Sequence, residues 1–243
     1  MYAKTREEKI NEAFVAMSDA LMNDYDIVDL LSTLLNDCTD ILGIEAGGIL
    51  LVDPAGDLEL VASTSEEAAV VETMIIAAGA GPCIDCFDTA APVAVADIDT
   101  VAEKWPKFHR TALDQGFRST YAVPMRLKSE VVGVMNLLSA DLGPLSEKDG
   151  KIAQALADIA VLGILHERNF RNPFVIKEQL HLALDTRILI EQAKGVLAQG
   201  EGLSMAAAFN TLRAYARRNG MTLRSVADGA VRRTIDTADL VRD

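Results

Sequence analysis

The chain has 243 residues, half of them apolar, and a formal net charge of −13 at pH 7. This length and composition allow two domains, each with its own apolar core. The charged start, from Met1 to Lys9, predicts no secretory signal, and apolar runs such as 159–165 are too short to cross a bilayer. Three cysteines predict reduced thiols rather than a disulfide framework. We therefore expect a cytoplasmic protein with no membrane partner.

The charge is distributed unevenly along the chain. Residues 173–243 contain ten Lys and Arg against eight Asp and Glu, which leaves a net charge of −15 for residues 1–172. Nineteen acids and no Lys or Arg lie between Ile10 and Glu103. Such an acidic surface repels nucleic acids and anionic membranes alike. An anionic partner would therefore bind to the C-terminal part.

The first predicted elements are helical. Apolar residues recur at intervals of three and four through residues 1–42, which predicts helix up to Gly43. Cys38 lies on this apolar stripe and is interpreted as a small core residue. The period then changes to two, and residues 46–53 and 58–63 predict a hairpin with its turn at 54–57.

The elements that follow alternate between helix and strand. Helices are predicted over 65–78 and 104–115, with a short strand over 92–96 between them. A second hairpin joins strands over 120–127 and 131–138. The next helix begins at Ser146 as N-cap, with Asp149 in the position of a capping box, and Asn172-Pro173 breaks it.

This order of elements, over about 25–165, resembles a GAF domain, a small-ligand sensor with an antiparallel sheet. The residues that carry the resemblance are Gly81-Pro82-Cys83, Pro92-Val93, Tyr121-Ala122-Val123-Pro124-Met125 and Val132-Gly133-Val134-Met135-Asn136-Leu137. The resemblance implies a sensor but names no ligand, and so predicts no particular cofactor. The Asn-Lys…Phe…Asp-Glu arrangement of cyclic-nucleotide-binding members is absent, as is a chromophore-attachment motif.

Chemistry in this region would come from Cys83-Ile84-Asp85-Cys86. Such a pair can be a redox switch or half of a zinc site, but lining a pocket is the simplest interpretation. A complete metal site would need His109 together with Asp85 or a second chain, and we expect no metal. Some GAF proteins reduce free methionine sulfoxide with cysteines, which is the enzymatic alternative. Cys83 and Cys86 are thus candidates for ligand binding or redox sensing.

The helix over 146–171 carries an apolar stripe that continues past the part of the helix that a small domain can cover. Its members are Ile152, Leu156, Ile159, Gly163, His166 and Phe170. Together with the apolar N-terminal helix, this stripe predicts a helical bundle between two protomers, and hence a homodimer. The alternative is that both helices cover one face of their own sheet.

The last seventy residues predict three helices. Asn172-Pro173 supplies an N-cap and a first-turn proline, and apolar spacing extends the first helix to near Gln199. Ser204 caps the second helix and Thr222 the third, with glycines in the turns between them.

Two segments of this region carry a family motif. They are Ala183-Leu184-Asp185-Thr186-Arg187-Ile188-Leu189-Ile190-Glu191-Gln192-Ala193-Lys194-Gly195-Val196-Leu197 and Ala208-Phe209-Asn210-Thr211-Leu212-Arg213-Ala214-Tyr215-Ala216-Arg217-Arg218-Asn219. Together they resemble the ANTAR domain. That domain is a three-helix RNA-binding module of bacterial transcription antitermination regulators. The resemblance covers about 180–235. It implies binding of paired hairpin loops in a leader RNA, which prevents an overlapping terminator from forming.

The resemblance and the basic cluster indicate candidate RNA contacts. Motif positions supply Arg187, Gln192, Lys194, Gly195 and Arg213, and the arginine-rich stretch from 210 to 233 adds Arg217, Arg218 and Arg224. Lys194 and Arg213 are expected to face solvent; if they are internal, Glu191 and Asp228 are their expected partners. From charge alone, the alternative is that the arginine cluster is simply a solvent-exposed helix face with no RNA-binding role. DNA binding through a helix-turn-helix at 223–227 is the other alternative.

The predicted fold class is α+β. A GAF-like sensor occupies 1–165, a connecting helix 146–172, and an all-α ANTAR-like domain of three helices 173–243. The prediction is a regulator that responds to a signal and binds RNA, with no enzymatic activity.

Overall fold

The computed structural model describes residues 4–22, 26–53, 55–171, 176–219 and 221–241, and their side chains except at 19–22, 166–171, 176–187, 206 and 217. The helices are α1 Arg6–Met22, α2 Ile27–Leu42, α3 Glu66–Ala78, α4 Pro82–Thr89, α5 Pro106–Asp114, α6 Glu147–Arg171, α7 Ile176–Glu201, α8 Met205–Asn219, α9 Leu223–Val231 and α10 Thr237–Val241. A 3-10 helix spans Ile98–Val101. The strands are β1 Ala46–Val52, β2 Leu58–Ser63, β3 Val93–Val95, β4 Ser119–Leu127 and β5 Glu130–Ser139.

The strands form one antiparallel sheet in the order β2-β1-β5-β4-β3. Both predicted hairpins are confirmed, because β1 pairs with β2 and β4 with β5. The α+β fold class is confirmed as well.

The predicted N-terminal helix divides into two, and helix α4 was not predicted. Asp26 accepts hydrogen bonds from the backbone N–H groups of Val28 and Asp29, which makes it the N-cap of α2. The continuous helix predicted over 1–42 was therefore wrong, and residues 23–25 lie outside the described ranges. Helix α4 begins at Pro82, where proline fits the first turn.

Alternating side chains divide the apolar core between the two faces of the sheet. On β1, Ile49 and Leu51 point to the face covered by α2 and α6, whereas Leu50 points to the face covered by α3, α4 and α5. All three side chains are at most 2% exposed. The N-terminal region thus has three layers, helix–sheet–helix.

Helix α6 begins as predicted. The Ser146 hydroxyl accepts from the Asp149 backbone N–H at 3.1 Å and donates to the Asp149 carboxylate at 2.7 Å. Leu156 is buried within its own chain, since α6 packs against α2 and β4. Phe14 on α1 and Leu162 on α6 are exposed. The sheet-covering alternative therefore accounts for Leu156, whereas the side chains of His166 and Phe170 lie outside the described residues, and the homodimer remains a prediction.

The C-terminal helices pack around α7. Its buried residues Ile190, Ala193 and Leu197 pack against α8 and α9. Thr222 is the N-cap of α9, and its hydroxyl accepts a hydrogen bond from the backbone N–H of Ser225. The prediction of three helices was incomplete. The short α10 packs on α7, and the Thr237 hydroxyl donates to Glu201 at 2.7 Å. The predicted start at Asn172-Pro173 lies outside the described residues.

The core of these helices is continuous with the α2 side of the sheet, because α7 contacts both α2 and β2.

Within the described ranges no single helix is long and apolar enough to span a membrane; α3 and α4 satisfy that test only as a pair bent by 60°.

Candidate functional site

The candidate RNA contacts fall into an exposed group and a group that faces the N-terminal region. Gln192 and Arg218 are exposed, and the Arg218 guanidinium lies 5.5 Å from the centre of the Tyr215 ring. Gly195 has open space beside it, since an added Cβ would meet nothing within 4 Å. The side chains of Arg187 on α7 and Arg217 on α8 lie outside the described residues.

Lys194 and Arg213 do not face solvent, so that expectation was wrong. The Lys194 side chain is 12% exposed, and its ammonium lies 2.9 Å from both carboxylate oxygens of Glu191. Glu191 was the partner predicted for an internal lysine. Asp228, the predicted partner for arginine, instead pairs with Arg232 at 2.7 Å.

The contacts of Arg213 lie on α2. A terminal nitrogen of Arg213 donates to the Thr33 hydroxyl at 2.6 Å, and Nε lies 3.6 Å from the Asp29 carboxylate. The side chain is 22% exposed. The residue that sequence reasoning placed on an RNA surface therefore contacts a helix of the sensor region. Sequence spacing gave no signal for this contact, because 180 residues separate Thr33 from Arg213.

A groove of about 590 Å³ lies between the sensor region and the C-terminal helices. Val61 and Met74 line its sensor side, and Ile190, Lys194 and Phe209 line the opposite side. Phe209 is half-buried and packs against the core.

The sensor region contains a buried polar cluster on the α3 side of the sheet. The Asn136 amide donates to the Glu72 carboxylate at 2.6 Å, and the Cys83 thiol donates to its other oxygen at 3.3 Å. The Thr120 hydroxyl donates to the side-chain amide oxygen Oδ1 of Asn136 at 2.7 Å. An added Cβ on Gly48 would lie 2.9 Å from Glu72 Cγ, so glycine at that position makes room for the carboxylate.

Sequence reasoning missed Glu72, although a signal for it was present. Glu72 follows Ala68 and Val71 and precedes Ile75 on the buried face of α3, so an acid occupies a core position. A fully buried carboxyl is uncommon and needs polar partners, which Asn136 and Cys83 supply.

Burial controls the ionisation of this cluster. Desolvation raises the pKa of Glu72 to about 7, although the hydrogen bonds from Asn136 and Cys83 oppose the shift. Burial also raises the pKa of the Cys83 thiol well above its ordinary range, and that of Cys86 to about 12. Both cysteines are therefore protonated thiols near pH 7, the opposite of an activated thiolate.

The other metal-ligand candidates have separate partners. Asp85 pairs with Lys104 at 2.6 Å, and His109 Nε2 lies 3.0 Å from Asp99. Among the residues that the structure describes, no three His, Cys, Asp or Glu side chains gather into a group that could hold a metal ion.

Comparison with known structures agrees with this fold. The GAF domain of an Acinetobacter phosphoenolpyruvate-protein phosphotransferase is 15% identical, with a TM-score of 0.52 over 70% of this chain and 99% of that one. Free methionine-R-sulfoxide reductase from Neisseria meningitidis, solved with its substrate, is 19% identical, with a TM-score of 0.53 over 70% and 95%. These identities show a common fold alone. No curated protein sequence matches the chain.

Family models match both parts of the chain. The GAF domain model matches residues 24–164, and the ANTAR domain model matches residues 178–229. The protein thus belongs to the GAF domain family, whose model covers more than half of it, and its C-terminal helices form an ANTAR domain, as in GAF-ANTAR regulators.

Proposed function

We propose that this protein is a signal-responsive antitermination regulator whose ANTAR domain binds hairpin-loop leader RNA and prevents a terminator from forming. The observation that carries the proposal is the ANTAR match over residues 178–229, a family of RNA-binding antitermination regulators. The arginine-rich stretch of α8 and α9 supports it, because phosphate neutralisation dominates nucleic-acid affinity.

The proposed RNA contacts are Arg187, Gln192, Lys194, Gly195, Arg213, Arg217, Arg218 and Arg224. Arginine and lysine would hold phosphates, Gln192 would bond to a base edge, and Gly195 would let the RNA backbone approach closely. The side chains of Arg218 and Gln192 are exposed to solvent.

The GAF domain would sense a small ligand or a redox state. Cys83 and Cys86 are the proposed ligand-binding or redox residues, and the hydrogen bond from Cys83 to Glu72 supports a role in the sensor's interior. No enzymatic activity is proposed, since the raised pKa of both thiols disfavours a nucleophilic thiolate. A cytoplasmic homodimer without a membrane partner completes the proposal.

The test titrates the full chain with a paired-hairpin RNA, with the same RNA in scrambled order, and with duplex DNA of equal length. We expect the paired hairpin to bind most tightly, with an affinity that falls as salt rises. Equal or tighter binding to duplex DNA would favour the helix-turn-helix alternative. Turnover of free methionine sulfoxide with a dithiol reductant would instead favour a reductase.

A further inference from the structure

Helix α2 presents an acidic stripe to the ANTAR domain. The stripe consists of Asp26, Asp29 and Asp37, and with Thr33 between them these residues recur every three or four positions along one side of the helix. Arg213 of the ANTAR domain contacts the middle of the stripe, at Thr33 and Asp29.

Both ends of the acidic stripe also lie within the electrostatic influence of ANTAR arginines. Desolvation raises the pKa of Asp37, and the positive charge of Arg213 opposes that shift. Desolvation likewise raises the pKa of Asp26, against N–H donors of its own helix and against the charge of Arg224. Of the arginines proposed for RNA, Arg213 therefore contacts the stripe, and Arg224 is near enough to Asp26 for its charge to favour the ionised carboxylate.

We propose that the acidic stripe of α2 occupies the basic surface of the ANTAR domain, so that the sensor and an RNA backbone compete for the same arginines. The inference rests on the proposed function and adds its regulation. Carboxylate and phosphate oxygens accept the same charge-assisted hydrogen bonds from a guanidinium group, so one can replace the other. In the docked arrangement RNA cannot reach Arg213 without displacing α2.

The contact between Arg213 and the acidic stripe, in which the ANTAR domain is docked on α2, can readily be broken. Arg213 Nε and Asp29 Oδ1 are both buried, 3.6 Å apart, and neither has a hydrogen-bond partner among the described residues. The Arg213 side chain is 22% exposed and that of Asp29 is 43% exposed, and an ion pair that is partly exposed in this way contributes little to stability. A groove of about 530 Å³, lined among others by Asp29, Asp37 and Arg213, opens at this contact and leaves the interface there incompletely packed. A polyanion can therefore displace the stripe.

The same helix connects this contact to the sensor's core. Helix α2 packs against β1, β2 and α6, so a change inside the GAF domain that moves α2 also moves the acidic stripe. The apparent RNA affinity is then the intrinsic affinity multiplied by the undocked fraction, and a sensor signal acts by changing that fraction.

The test compares three full-length proteins: wild type, Asp29→Asn combined with Thr33→Ala, and Asp40→Asn as a control. Asp40 lies on the same helix and pairs with Lys9 of α1, so its substitution also removes one negative charge but leaves the arginine contact intact. Loss of contacts to a charged group shifts an equilibrium by about tenfold or more. We expect the double variant to bind paired-hairpin RNA about tenfold more tightly than wild type, with Asp40→Asn close to wild type.

Hydrogen exchange without RNA supplies a second readout. Amides of α8 should exchange faster in the double variant than in the control, because α8 loses its contact with α2. Measurable and equal RNA affinity in all three proteins would overturn the competition while leaving the proposed function intact. An equal gain in RNA affinity in the double variant and in Asp40→Asn would show that the gain comes from overall charge alone, and this result would also overturn the competition. Absence of RNA binding in all three proteins would overturn the proposed function itself.

Discussion

Replacing Glu72 by Gln should change how the stability of the GAF domain depends on pH. Gln keeps the shape and the acceptor for Asn136 but cannot ionise. The pKa of Glu72 is about 7 in the folded protein, against an ordinary value of 4.5. Below pH 4.5 the carboxyl is protonated in both the folded and the unfolded chain, so its burial takes nothing from the unfolding free energy through ionisation. As pH rises from 4.5 through 7, only the unfolded chain ionises freely, and the folded state loses stability.

The size of the effect follows from the difference between the two pKa values. Each unit is worth about 1.4 kcal/mol, so wild type should lose about 3 kcal/mol of unfolding free energy across this window through Glu72 alone. The Gln variant lacks this loss. Its stability relative to wild type should therefore rise by about 3 kcal/mol between pH 4.5 and 8, whatever its stability at pH 4.5.

The assay is urea unfolding of the full chain, followed by the fluorescence of Trp105. This residue is the chain's single tryptophan, and it is buried on the same side of the sheet as Cys83. Glu67→Gln, at an exposed position of α3, controls for the loss of one acid. If the difference between wild type and Glu72→Gln stays constant with pH, the carboxyl is not desolvated and the proposed origin of its raised pKa is wrong.

Three further predictions concern other parts of the chain. Phe209→Ala should lower the unfolding free energy by about 2 kcal/mol, less than for a fully buried ring, and an unchanged Tm would show that the ring packs on nothing. Leu162→Glu alters an exposed residue, so it should leave the fold intact but convert a dimer to monomers in sedimentation; wild type that is monomeric at high micromolar concentration would contradict the homodimer. Cys83 and Cys86 should react with a thiol reagent at least about a hundredfold more slowly in the native chain than in urea, because burial keeps them protonated; equal rates would indicate accessible thiolates.

Local sequence patterns were sufficient for the regular elements. Alternation with period two located both hairpins, and Ser146 and Thr222 marked the helix starts where their side chains accept N–H bonds. The break between α1 and α2 was missed, because apolar spacing continues across it while the cap at Asp26 has no apolar signature. Helix α4 was missed because two cysteines three residues apart are as typical of a chemical motif as of a short helix.

Sequence alone was therefore enough to predict the α+β class, the ANTAR motif and the separation of charge between the two halves of the chain. These properties depend on residue types and on short spacings, which the sequence displays directly. Which charged side chains are exposed to water depends instead on how distant parts of the chain pack together. The burial of Glu72 depends on Gly48 and Asn136 across the sheet, and the position of Arg213 depends on Thr33, 180 residues away. A helix pattern indicates that a residue lies on a particular face, but the partner of that face is fixed only when distant segments pack together.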